Sequence, residues 1–293
     1  MKRGYFFIIA AAVLWGTTGT AQALAPQGAQ PLAIGALRLL TGGMALMIFQ
    51  YATQGWPIFD KGHWQPILLA AFCMAAYQIL FFAGVKLTGV AVGTIVGIGS
   101  SPVLAGLLGQ VFRGERPGWR WATATLLAIA GCALLVFTGS EIKVNPLGIL
   151  LAVGAGGAYA TFSLASKEVL VRYPVQTVMA AVFGLGALLL APLLLTQDLH
   201  WLAQPSGAGV ILHLGLFATA LAYLLFGQGL KQVPLATGVT LSLAEPLTAG
   251  TLGVLVLGEK LTWLAGLGIL MIFSGLVLLA LPEPSQHPLR AAR

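Results

Sequence analysis

The segment GIGSSPVLAGLLGQVFRGERPG at 97–118 returns as LSLAEPLTAGTLGVLVLGEKLT at 241–262, with identities at a constant offset of 144 residues. Pro102 matches Pro246, Gly109 matches Gly253, Gly114-Glu115 matches Gly258-Glu259, Trp119 matches Trp263 and Gly131 matches Gly275. A chain that writes an apolar half twice is constrained to fold as two related units, with a ligand held where they meet. The repeat divides the chain into 1–140, 141–282 and a short tail at 283–293, and makes transport the leading functional reading.

The residues are 58% hydrophobic and 8% charged, and the mean hydropathy is +0.92. A soluble domain of 293 residues needs far more polar surface, so the chain's partner is a lipid bilayer. A net charge of +7 would suggest nucleic acid in a soluble protein. Here the basic residues sit at segment ends, where topology explains them, and no nucleic-acid binding is expected. Cys73 and Cys132 lie alone inside apolar runs, so neither a disulfide framework nor a metal site is expected, and no cofactor.

Ten segments can cross a hydrocarbon core of about 30 Å as helices of about 20 residues. They fall near 4–24, 31–53, 64–86, 90–112, 119–138, 146–168, 174–196, 209–231, 235–257 and 262–281. Segment 4–24 follows Lys2-Arg3 and ends in small residues as a cleaved leader would, but its counterpart at 146–168 marks it as a first helix. With the N-terminus cytoplasmic, that side collects Lys2, Arg3, Lys61, Arg113, Arg116, Arg120, Lys167, Arg172, Lys231, Arg290 and Arg293. Only Lys86, Lys143 and Lys260 fall outside. The bias puts both termini in the cytoplasm. Each half then has an odd number of crossings, so the two five-helix repeats are inverted, the arrangement that permits alternating access.

The five-plus-five plan, Trp15-Gly16-Thr17 in the first helix, Arg38 in the second, and the Glu245-Pro246 and Gly258-Glu259 pairs resemble the EamA-type members of the drug/metabolite transporter superfamily. The resemblance covers essentially the whole chain. It implies an all-α integral membrane protein of ten transmembrane helices as two inverted repeats, in the bacterial inner membrane. Within the superfamily the chain is most similar to the YddG-type exporters of aromatic and other neutral amino acids, which also handle some organic cations.

Polar and aromatic groups at bilayer depth gather on helices 1, 3, 4, 6, 8 and 9. They are Trp15, Thr17, Thr18, Tyr77, Gln78, Thr94, Ser100, Ser101, Tyr159, Thr161, Ser163, Thr219, Tyr223, Gln228, Thr240 and Ser242. Hydroxyls and amides need partners in lipid, so these helices are expected to face one another or a wet cavity. The plainer helices 2, 5, 7 and 10 should form the outer wall. Single hydroxyls have the alternative of bonding back to their own helix. The repeat singles out aromatics: Trp15 aligns with Tyr159, and Tyr77 lies near Tyr223 across a small gap. These four are expected to line a pathway suited to an amphipathic solute or an organic cation. Thr17, Gln78, Ser100, Ser163 and Ser242 are the accompanying polar candidates.

Two charges lie inside predicted helices. An ionised Glu245 near the middle of the ninth would cost about 2.5–3.5 kcal/mol unless paired or wet. It is either a contact for a substrate ammonium, a proton carrier, or a buried acid bonded to hydroxyls or Arg38. Pro246 has no N–H, so a kink should free a carbonyl one turn earlier; Pro102, its mate beside Ser101, has the kink without the acid. Arg38 either snorkels to the outer interface, draws in a substrate carboxylate, or holds Glu245. Glu115 and Glu259 follow helix-end glycines and should position those turns. Gly84, Gly89, Gly93, Gly97, Gly154, Gly156 and Gly157 offer close helix contacts.

Rival classes fare worse. His63, His200, His213 and His287 are scattered, which disfavours an intramembrane hydrolase or metalloenzyme, and no phosphate-binding loop supports an ATP-driven pump. A nucleotide-sugar carrier would need a cluster of Lys and Arg at depth, and the sequence has none. A channel shares the polar lumen and differs in its kinetics. The five-plus-five unit is complete in one chain, so a monomer acting on a small-molecule substrate is expected.

Overall fold

The structure, a computed structural model, describes residues 2–136, 145–258 and 262–281. Its helices are α1 (Lys2–Ala23), α2 (Pro31–Gln54), α3 (Trp64–Thr88), α4 (Val90–Arg113), α5 (Trp119–Val136), α6 (Pro146–Leu170), α7 (Val175–Leu194), α8 (Pro205–Gly215), α9 (Ala222–Leu230), α10 (Leu235–Leu241), α11 (Ala244–Leu255) and α12 (Trp263–Ala280). A π-helical turn over Leu216–Leu221 joins α8 to α9 as one eighth crossing, and α10 with α11 makes the ninth. Nine spans are long and apolar enough to cross a membrane among the described residues. The tenth, α5, has 18 residues, about 27 Å at 1.5 Å per residue. No described residue is in a strand. Glu259, Lys143, Lys260, Arg290, Arg293, His287 and the tail 283–293 lie outside the described residues.

Prolines and capping groups set the boundaries. Pro31, Pro146 and Pro205 stand in the first turn of α2, α6 and α8, where a missing N–H costs nothing. Asn145 Oδ1 accepts from Gly148 N at 3.1 Å to start α6, and Thr262 Oγ1 accepts from Ala265 N at 3.1 Å to start α12, each satisfying an orphan donor. Gly114 ends α4 at φ 63°, a left-handed position that glycine occupies without strain.

The packing pairs exchange under the repeat. α3 packs on α6 as α1 packs on α9, α4 on α6 as α1 on α11, and α3 on α7 as α2 on α8. The pairs α2 with α7 and α5 with α12 map onto themselves. Glycines permit the closest of these approaches: a Cβ on Gly131 would lie 2.6 Å from the Gly268 carbonyl, and one on Gly268 would lie 2.6 Å from the Gly131 carbonyl. Gly84 abuts Ala152 and Gly156 abuts the Gly97 carbonyl, so these glycines are packing surfaces.

Two expectations are corrected here. α7 is no outer wall; Val178, Met179, Ala180, Val182 and Phe183 are fully buried because it packs against α2, α3 and α9. α5 and α12 do keep large apolar side chains exposed, including Leu126, Leu270 and Phe273. The ninth crossing is broken at Ser242-Leu243, whereas α4 runs uninterrupted past Pro102. The Ser242 carbonyl one turn before Pro246 is not free: it accepts from Glu245 N at 2.9 Å. The proline-deprived carbonyl has taken a shorter-range partner, which tightens the chain and ends α10.

Candidate functional site

The four repeat-related aromatics converge. Trp15 lies 6.3 Å from Tyr159 and 4.9 Å from Tyr223, ring centre to ring centre, and Tyr77 lies 5.9 Å from Tyr159. Phe162, Phe183 and Phe226 back them, Phe183 at 4.3 Å from Tyr223. Trp15, Tyr77, Tyr159 and Tyr223 line a recess of about 60 Å³ with Thr18, Arg38, Ser101, Ser242 and Glu245. Across Trp15, Tyr77, Arg38 and Glu245 the recess joins the walls of a cavity of about 430 Å³, which adds Gln22, Gln78, Phe81, Phe82, Thr94, Leu135, Pro246, Gly250, Val254, Thr262 and Ala265. Those last residues mark the end where α1, α5 and α11 finish and α12 begins.

Arg38 and Glu245 face this cavity from different repeats, and no ion pair or hydrogen bond joins them. The buried Arg38 Nε has no hydrogen-bond partner among the described residues, and the Glu245 side chain lines the same cavity. Arg38 therefore does not serve as an interface anchor, because α2 turns it inward. Trp15 Nε1, Thr18 Oγ1 and Gln78 Nε2 are likewise buried without a partner among the described residues. Buried donors are normally satisfied, so a rim of unmatched donors beside a cation suits an acceptor-rich, anionic group. The Glu245 carboxylate in the same lining suits a cationic one.

Ser242 bonds Tyr159 hydroxyl to hydroxyl at 3.3 Å and its own helix at Gly238. Three predicted polar candidates are not brought to the cavity. Thr17 Oγ1 donates to the Leu14 carbonyl at 2.6 Å and meets His213 Nε2 at 2.8 Å on the eighth crossing. Ser100 bonds back to Gly97, and Ser163 is fully buried and bonds back to Tyr159. Backbone bonding satisfies these hydroxyls inside their own helices. Ser101 takes the place expected of Ser100; it is the repeat mate of Glu245, a signal the offset already contained. Phe81 and Phe82 were not singled out from the sequence, although Phe226 stands 145 and 144 residues after them.

Polar contacts tie helices together at the opposite end of the bundle. The Lys167 ammonium, buried in α6, donates to the Leu230 carbonyl at 2.7 Å and to the Val233 carbonyl. Lys167 is thus no surface charge but a cap on α9, where a cation complements the helix terminus. Glu115 accepts from Arg113 Nε at 3.3 Å and reaches the other repeat, accepting from Leu235 N at 2.7 Å.

Residues 2–137 and 146–281 each match the EamA-like transporter family. The chain is 45% identical over 286 residues to the uncharacterized transporter YwfM of Bacillus subtilis, covering 98% of this chain and 96% of that one. It is 29% identical over 262 residues to the threonine/homoserine exporter RhtA of Escherichia coli K12, covering 87% and 83%. A solved crystal structure superposes with a TM-score of 0.82 at 22% identity, covering 95% of this chain and 98% of that one. With both halves matched, and with a fold of two five-helix units around a shared cavity, this multi-pass membrane chain belongs to the EamA-like transporter family.

Proposed function

We propose that this transporter exports small zwitterionic amino acids, aromatic and other neutral ones foremost, by alternating access between two inverted repeats. Export runs from the cytoplasm across the bacterial inner membrane. One observation carries the reading: Arg38 and Glu245 line the same cavity without pairing to each other. Opposite charges that make no direct ion pair in low dielectric are costly, and a zwitterion satisfies both. Its carboxylate meets Arg38 and the donors of Gln78, Trp15 and Thr18; its ammonium meets Glu245.

The side chain of the solute then lies against Trp15, Tyr77, Tyr159 and Tyr223, where aromatic contacts favour a ring or a thioether. That RhtA exports threonine and homoserine supports the amino-acid class, and the aromatic walls here favour larger side chains. An odd number of crossings per repeat supports inversion, and the eleven-to-three bias of basic residues supports a cytoplasmic N-terminus. A monomer suffices, since both charges and all four rings come from one chain.

Counterflow in proteoliposomes tests the substrate class. With unlabelled phenylalanine inside, labelled phenylalanine should accumulate transiently, methionine loads should substitute, and a sugar load should not. Accumulation driven only by a sugar or a quaternary ammonium would overturn the amino-acid reading; a non-saturable leak would indicate a channel.

A further inference from the structure

A second cavity, of about 380 Å³, lies at the end where α1, α5 and α10 begin and α12 finishes, with Tyr5, Arg116 and Thr237 in its walls. Its Gly118, Trp121 and Leu279 stand 144 residues from Thr262, Ala265 and Leu135 of the central cavity. The two cavities therefore share three repeat-related wall positions, at opposite ends of the molecule. They differ at one position above all. The small Ala265 lines the central cavity, whereas the Trp121 indole packs over Gly106, within 2.6 Å of where a Cβ would stand. The repeat mate of Gly106 is Gly250, which lines the central cavity.

The indole is also pinned. Trp121 Nε1 donates to Thr240 Oγ1 at 2.9 Å, and Thr240 meets Thr125 Oγ1 at 3.0 Å. The mates of Trp121, Thr240 and Thr125 are Ala265, Val96 and Ile269, so none of these polar contacts has a counterpart at the other mouth. We infer that Trp121 is the plug of the transport route at the N-terminal side, and that the 380 Å³ cavity is the mouth through which solute enters there. Opening this side requires the indole to leave Gly106 and release Thr240, while the other side opens without breaking an equivalent lock. The resting carrier is accordingly biased toward the conformation seen here.

The inference rests on the alternating-access reading, and site-directed labelling separates the two. In a Cys73→Ala, Cys132→Ala background, Val239→Cys on the recess wall is exposed to a membrane-impermeant maleimide from each side of sealed vesicles. Trp121→Ala should raise labelling from the N-terminal side at least tenfold. Thr240→Val, which keeps side-chain shape and removes the hydrogen bond, should raise it less. Labelling from the opposite side reports that each variant is folded. Parent-like labelling from the N-terminal side in both folded variants overturns the plug even if counterflow persists. Raised labelling in Trp121→Ala, without saturable counterflow in the parent, keeps the plug and overturns alternating access.

Discussion

Lys167 of α6 donates its ammonium to the Leu230 carbonyl at 2.7 Å, closing the end of α9 from the other side of the bundle. A second carbonyl, that of Val233, shares the same cation. Lys167→Met keeps the stem and removes the donor, leaving two backbone acceptors at a buried helix end. Each unsatisfied group costs about 1–3 kcal/mol. The variant should melt several degrees lower in detergent than the parent; an unchanged Tm contradicts the capping role.

The α5–α12 contact depends on bare backbone at Gly131 and Gly268. A Cβ at Gly131 meets the Gly268 carbonyl at 2.6 Å and the Ile272 backbone N at 2.9 Å, neither of which can swing away. Gly131→Val should lower the yield of folded monomer in detergent and its Tm. Gly209→Val in α8, where a Cβ meets nothing within 4 Å, is the matched control and should leave both near the parent. Equal effects at the two positions would contradict the packing account.

Trp15 touches three rings and the cavity at once. Aromatic contacts add about 0.5–1.5 kcal/mol beyond area, a factor of about 2–12. Trp15→Leu should raise KM for phenylalanine counterflow by that factor and raise it less for threonine. A larger loss for threonine would place the solute's side chain elsewhere.

Thr17, off the cavity and bonded to His213 at 2.8 Å, separates a structural polar pair from a transport one. Thr17→Val should lower Tm while leaving KM for phenylalanine within twofold. A KM shift above tenfold without a change in Tm would return Thr17 to the pathway.

Much of this was legible before any coordinates. Hydrophobic length placed the crossings, since a bilayer imposes one helix length on all of them. The repeat picked out Trp15, Tyr77, Tyr159 and Tyr223, which the fold assembles. Finer choices were not legible, because neighbouring helical residues point about 100° apart and sequence alone does not fix the rotation. That is why Ser101 lines the recess and Ser100 does not. Lys167 reads as a topological charge because its partners, carbonyls on another crossing, have no sequence signature. The π-helical turn at Leu216–Leu221 has no proline to announce it, and nothing in the structure explains it.

In the proposed function Arg38 reads a carboxylate and Glu245 an ammonium. The direct measurement is competition for labelled phenylalanine counterflow by phenylalanine, phenethylamine and phenyllactate, in the parent, Arg38→Gln and Glu245→Gln. Hydrogen bonds to charged groups contribute about 1.5–3 kcal/mol, so the parent should prefer phenylalanine over either analogue by about 10- to 150-fold. Arg38→Gln should bind phenylalanine and phenethylamine alike, and Glu245→Gln should bind phenylalanine and phenyllactate alike. Parent-level discrimination surviving in both variants, each with normal Tm, would contradict the account.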